Sequence, residues 1–335
     1  DCGWFFRASA SDFEKIPGSP IAYWVSENLR NAFIVGQNLG DLASPRQGVA
    51  TADNDRFLRM WQEINISRAL FDASPPDART SEKRWFPYNK GGEFRKFYGN
   101  FATLVDWEND GERMKGFERA AIRNPSYFFK PGVTWTLLSS SYFGCRYVPS
   151  GFIFDVNGMT IFGENIIDDY FILGLLSSKF CNSILKIVNP TLAFQVNDIG
   201  KVPVTKDLLD HILNPVKDIV KNLVALAKSD WDSYETSWNF SSLDLLDSAY
   251  CKGSLADSFD TNVQFWRHKT SQMQRLEEEN NRIFIDAYGL QDELTPDVPL
   301  SEITLTCNPH YRYGGDLTDE EREAKLKADL AAAGE

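Results

Sequence analysis

Residues 83–100 read KRWFPYNKGGEFRKFYGN and run on into FATLVDW at 101–107. Five cations (Lys83, Arg84, Lys90, Arg95, Lys96) face one acid, Glu93, so the stretch carries +4 in a chain whose net charge is −12. Six aromatic residues are interleaved with them (Trp85, Phe86, Tyr88, Phe94, Phe97, Tyr98), and Gly91-Gly92 sits in the middle. The alternation on either side of Gly99-Asn100 predicts two strands joined by a hairpin turn. A basic, aromatic, glycine-hinged segment in an acidic chain points to an anionic partner.

Moving outward toward the C-terminus, residues 127–162 keep a β pattern. YFF, VTWTLLSS, YFGCRYV, GFIFDV and MTIF are separated by Pro131-Gly132, Pro149-Ser150-Gly151 and Asn157-Gly158. The last pair is a type I′ hairpin signal. An apolar face (Phe171, Leu175, Leu176, Phe180, Ile184, Leu185) predicts one helix over 166–188, stopped by Asn189-Pro190. TLAFQVNDIGKVPVT, 191–205, reads as one or two strands. Toward the N-terminus, a helix is expected over 21–33 and a proline-containing loop over 72–82. A further helix is expected over 112–123, closed by Asn124-Pro125.

Beyond residue 205 the period turns helical. Helices are predicted over 206–228, with Pro215 kinking or splitting the first, and over 258–288. In the tail, Thr318 and Glu321 form a capping-box pattern. The fold class expected is α+β: a mixed domain over 1–204, then a mainly helical, acidic domain over 205–335. Residues 1–204 hold 22 basic and 22 acidic groups, whereas 205–335 hold 13 and 25, so the whole excess of negative charge lies in the second part. Phosphate contact depends on Lys and Arg displacing counterions, so a nucleic-acid partner belongs to the first part and a basic protein partner to the second.

No apolar run approaches the roughly 18 residues of a membrane span. The opening DCGWFFRASASDF lacks the basic and apolar regions of a secretory signal, and it lacks an initiator Met. The chain therefore reads as a piece of a longer or processed cytoplasmic polypeptide. Five scattered cysteines without a C-x-x-C read as reduced thiols, and three scattered histidines offer no metal-site spacing. No dinucleotide fingerprint, P-loop, nucleophile elbow or zincin motif is present. Asn124-Pro125-Ser126-Tyr127 and Asn308-Pro309-His310-Tyr311 approach the Asn-Pro-Pro-Tyr loop of amino-methyltransferases. Neither follows a buried strand pattern, and Asn-Pro is also an ordinary helix stop.

TADNDRFLRMWQEI (51–64), KRWFPYNKGGEFRKFYGN (83–100), VDWENDG (105–111), GVTWTLLSSSYFGCRYVPSGFIFDVNG (132–158) and NPTLAFQVNDIGKVPV (189–204) resemble, in order, the target-recognition region of large adenine-specific DNA methyltransferases. These are the single-chain type IIL restriction-modification enzymes and, closer still, the PglX-type methyltransferases of BREX phage-defence systems. NRIFIDAYGLQDELTP (281–296) and VPLSEITLTCNPHYRYGG (298–315) extend the resemblance. It implies a recognition domain similar to those of type I specificity subunits, followed by helices. It implies that the methyl-transfer site and its S-adenosylmethionine lie upstream in the same polypeptide, so this segment would not methylate alone. The partners implied are double-stranded DNA, the upstream methyltransferase domain, and other phage-defence subunits or a phage-encoded inhibitor.

Within that frame Lys90, Arg95 and Lys96 are the leading phosphate or base contacts, supported by Arg84, Asn89 and Tyr98, with Asn100 a weaker candidate. Gly91 and Gly92 would let the backbone approach phosphate. The alternative is a solvated hairpin face. Sequence reading is assigned to Thr134, Thr136, Ser139, Ser140, Ser141 and Arg146, short hydroxyls and one guanidinium suited to base edges. Gln195 and Asn197 are candidates for adenine. Trp85, Phe86, Trp107 and Trp135 read as core. Two other functions stay open: a protein-interaction module working through the acidic helices, and a stand-alone enzyme whose residues no spacing connects.

Overall fold

The computed structural model describes residues 14, 16–19, 22–137, 143–164, 166–191 and 193–314, together with 317, 318, 320, 321, 324, 325, 327 and 328. Its strands, in chain order, are β1 (Gln37–Asn38), β2 (Ala43–Arg46), β3 (Leu58–Met60), β4 (Trp85–Asn89), β5 (Thr103–Asp106), β6 (Gly132–Trp135), β7 (Cys145–Val148), β8 (Ile153–Phe154), β9 (Thr160–Gly163) and β10 (Pro203–Val204). The longer helices are α1 (Glu27–Val35), α2 (Asp169–Leu176), α3 (Lys179–Val188), α4 (Leu213–Asp232) and α5 (Leu255–Ala287). The architecture is mixed α and β with a helical C-terminal part.

Two four-stranded sheets form the body. The first runs β2-β9-β6-β7 and is antiparallel throughout; the second runs β3-β5-β4-β8, with β4 and β8 parallel. Side chains alternate across a strand, and the register puts Arg46, Thr160, Thr134 and Arg146 in one row across the first sheet. The opposite face, with Val133, Trp135, Cys145 and Ile161, is buried in the main core beside Phe171, Ile172 and Leu175 of α2. The second sheet builds its own core from Phe57, Phe86, Tyr88, Val105 and Trp107. Val216, Val220 and Leu223 of α4 and Phe284 of α5 belong to the same cluster as the first sheet, so one core runs across position 204/205.

Several expectations change. Residues 95–98 form no hairpin with 103–106. Phe97 instead bridges β7: its N–H donates to the Cys145 carbonyl at 2.7 Å and its carbonyl accepts from the Tyr147 N–H at 2.8 Å. Strand β5 pairs with β4 and β3, and Phe97, Tyr98 and Phe101 are all buried, so packing overrides the local turn signal. Asn157-Gly158 likewise joins strands of different sheets. A Cβ at Gly158 would lie 2.4 Å from the Asn89 carbonyl oxygen, so the glycine is required by close backbone passage. The helix expected over 166–188 is two helices bent by 71°, with Ser178 capping the second through the Cys181 N–H at 3.1 Å. The helix expected over 112–123 ends at Lys115, and residues 196–200 are helical where strand was expected. Pro215 lies in the first turn of α4, where no N–H donor is needed; the break comes at Ile212. The Thr318 box forms, with the Glu321 N–H donating to the Thr318 hydroxyl at 3.3 Å. Among the described residues, no single helix is long and apolar enough to cross a membrane.

Candidate nucleic-acid interface

The cations of residues 83–100 are drawn into the fold. Arg84 is held by Asp106 at 2.9 Å and Lys90 by Asp155 at 2.8 Å. Arg95, 5% exposed, lies 3.4 Å from Asp230 of α4, donates to the Thr306 hydroxyl at 2.5 Å and covers the Trp231 ring. Asp230 also accepts the Thr306 and Cys307 N–H groups at 2.7 and 3.0 Å. Lys96, 6% exposed, is paired with Glu277 of α5, whose carboxyl burial pushes up and the Lys96 ammonium pulls back down. Lys83 donates to the Ser67 carbonyl at 2.6 Å.

The reading of Arg95 and Lys96 as surface contacts is therefore corrected: their ends fasten the first sheet's neighbouring loop to the C-terminal helices. Tyr98 is buried too, and burial raises its phenol well above the usual value. Gly91 is buried, where a Cβ would lie 2.9 Å from the Asn157 carbonyl oxygen, and only Gly92 reaches the surface.

The assigned reading segment is also mostly interior. Thr134 and Asn89 are fully buried, and the Asn89 amide donates to the Thr134 hydroxyl at 2.7 Å and to the Gly158 carbonyl at 3.0 Å. That polar contact, made where the two sheets meet, is the correction to both residues' proposed base contacts. Arg146 is 1% exposed, and neither its Nε nor its Nη2 has a partner. Burial lowers its pKa to about 10. It cannot reach a base edge from there. Thr136 is half-buried, donating to the Gly92 carbonyl at 2.9 Å. Ser139, Ser140 and Ser141 lie outside the described residues. Gln195 and Asn197 are exposed at the start of the 196–200 helix, Gln195 as its cap, and Asn100 donates to the Glu93 carbonyl at 2.9 Å.

The amide of Asn308 is not free for a substrate amine, because its oxygen accepts from the His310 N–H at 3.1 Å. Asn308 donates to the Leu300 and Ile303 carbonyls, each at 2.8 Å, and Asn124 to the Gln47 carbonyl at 2.8 Å. No cluster of three or more His, Cys, Asp or Glu suited to a metal occurs among the described residues.

A second basic surface was not singled out by sequence. Residues 47–50 lie antiparallel to 121–124 through paired hydrogen bonds between Ala50 and Ala121, both 2.9 Å. Around this join two rings each hold two cations. Arg46 and Lys130 flank Tyr127 at 5.0 and 4.9 Å; Arg56 and Arg119 flank Phe117 at 4.8 and 5.1 Å. Arg123 is exposed between the two groups along the chain. No carboxylate among the described residues pairs with any of these five cations. The signal that could have found it is GFERAAIRNPSYFFKPG, 116–132, three cations and four aromatics with one acid, which was read as helix, turn and the start of a strand.

No family model matches the chain. Two curated relatives do. The chain is 34% identical over 312 residues to an adenine-specific methyltransferase PglX of Lacticaseibacillus casei (strain Zhang), covering 90% of this chain and 26% of that protein. It is 37% identical over 319 residues to an adenine-specific methyltransferase BrxX of Escherichia coli O9:H4 (strain HS), covering 94% of this chain and 25% of that protein. The chain is thus related along nearly its whole length to PglX-type methyltransferases, and spans about a quarter of the length of these relatives.

Proposed function

From this relation to PglX-type methyltransferases, we propose that the chain is the DNA target-recognition part of an adenine-specific DNA methyltransferase that works in phage defence. The similarity to both relatives carries the reading: it runs along nine-tenths of the chain but over only a quarter of theirs. Methyl transfer from S-adenosylmethionine would belong to another part of the same polypeptide, in the cytoplasm. The present residues would bind and orient duplex DNA. A kinship with the recognition domains of type I specificity subunits belongs to the same proposal, supported by the mixed sheets followed by helices.

The division of labour places DNA on the sheet-bearing, charge-neutral part. The acidic helices would back it from behind, through the Arg95–Asp230 and Lys96–Glu277 pairs. The remaining surface of those helices would be left to phage-defence subunits or an inhibitor.

The test is an exchange. This chain replaces the corresponding quarter of the Escherichia coli relative, and the methylated motif is read by sequencing modified bases. The whole aligned region is moved because one core crosses position 204/205. The expected result is adenine methylation in a motif different from the parent's. An active chimera that keeps the parental motif sinks the reading.

A further inference from the structure

We propose that the surface built from residues 46–56 and 117–130 is the part of the chain that grips the DNA phosphate backbone. This inference rests on the reading of the chain as a DNA-recognition part, and assigns that function to residues other than those the sequence pointed to.

Three observations carry it. The first is that these cations are available. Arg56, Arg119, Arg123 and Lys130 are exposed and Arg46 is half-buried, and none has a carboxylate partner among the described residues. By contrast Arg84, Lys90, Arg95 and Lys96 are each held by an acid. The free set faces three local carboxylates, Asp53, Asp55 and Glu118, and Asp53 is occupied as a helix cap for the Arg56 N–H at 3.1 Å. At one end Glu164 accepts from the Ser44 hydroxyl instead of from an arginine.

The second is pre-organisation. Arg46 lies 5.0 Å over Tyr127 and also reaches that ring's hydroxyl at 3.3 Å; Arg56 and Arg119 lie 4.8 and 5.1 Å from Phe117. A guanidinium held over a ring loses less side-chain freedom when it meets an anion.

The third is shape. The cations form two ring-held pairs, with Arg123 between them along the chain, on two segments fixed to each other by the Ala50–Ala121 pair and the Asn124–Gln47 hydrogen bond. Two separate pairs of positive groups suit a repeating polyanion better than one isolated phosphate, whose recognition calls for convergent donors.

The experiment compares two variants of the whole chain with the same change in charge. One is Arg119→Glu/Arg123→Glu/Lys130→Glu. The other, Lys252→Glu/Arg275→Glu/Arg282→Glu, reverses exposed cations of the helical part. Binding to a short fluorescent duplex is followed by anisotropy at low salt and across a salt series. Thermal melting confirms that both fold like the parent. The first variant is expected to lose at least about tenfold in affinity, and its salt slope to fall by about three, close to one per lost phosphate contact. The second is expected to change affinity less than about threefold.

Equal losses in both would reduce the effect to net charge and overturn the proposal. So would an unchanged first variant, or a parent chain that does not bind the duplex at low salt. Loss of binding to polyglutamate with DNA binding intact would reassign the surface to an acidic protein. If the motif exchange succeeds while the first variant binds normally, the recognition function stands and this surface falls.

Discussion

Residues 83–100 and the paired segments 46–56 and 117–130 have similar chemistry, five cations each among aromatic rings, and opposite fates. In the first, four of the five are matched to carboxylates at 106, 155, 230 and 277; in the second, none is. Two of the four acids come from the acidic helices, more than a hundred residues downstream. Charge counted along the chain is therefore not charge in space. The excess of acid beyond residue 205 is partly consumed inside the molecule, where it neutralises the segment that looks most basic in sequence. The surface left positive is the one whose cations have aromatic neighbours in place of acidic ones.

The sharpest way to break this contrast is at Asp230. It is 1% exposed and accepts from Arg95 and from two backbone N–H groups. Asp230→Ala would strand a buried guanidinium and two backbone donors, one of them buried. The expected cost is about 3–5 kcal/mol of unfolding free energy, the range for breaking a buried pair from one side. Denaturant titration of variant and parent measures it. A loss below about 1 kcal/mol would mean that Arg95 is not fastened there, and would return it to the surface candidates.

How far the sequence could be read follows the same line. The β character of 132–135, 145–148 and 160–163, and the long C-terminal helix, were legible because their periodicities are continuous. The partners of those strands were not. Asn157-Gly158 carries the composition of a hairpin, yet it links two sheets, because what decides is the Asn89 backbone passing against Gly158. Arg95 and Lys96 show the same limit for the site: both were expected to contact DNA, while the structure buries both, each against a different helix. Arg119 and Arg123 were absorbed into an expected helix that ends at Lys115, so a period error concealed a surface.

A smaller effect separates a buried ion pair from a merely apolar contact. Lys96 and Glu277 are 6% and 5% exposed. Replacing both, Lys96→Met/Glu277→Leu, should leave stability within about 1 kcal/mol of the parent. Either single change should cost more than the double, with a coupling of about 2–3 kcal/mol from the four unfolding free energies. Strict additivity would remove the pair from the argument. Acidity adds a second reading. Burial raises the Glu277 carboxyl, so the folded state binds its proton more readily than the unfolded chain does. The parent should then gain stability relative to the double variant as pH falls from that raised value toward 4.5, and lose it as pH rises.

The smallest effect is expected where a cation is buried with two of its nitrogens unpartnered. Arg46 and Arg146 occupy the two ends of one row across the first sheet, with Thr160 and Thr134 between them. Arg46 sits on the edge strand and turns outward to Tyr127. Arg146, on β7 at the other end of the row and bridged to Phe97 through the backbone, is 1% exposed, with two of its nitrogens unpartnered. A buried charge without a partner contributes packing from its stem and a desolvation penalty from its head. Removing the head while keeping the stem should therefore cost little. Arg146→Met is expected to lie within about 1 kcal/mol of the parent, or to be more stable, in contrast to Asp230→Ala. A loss of 3 kcal/mol or more in the same denaturant titration would show that the Arg146 guanidinium is paired in solution. The distinction between consumed and available arginines would then have to be redrawn at that end of the row.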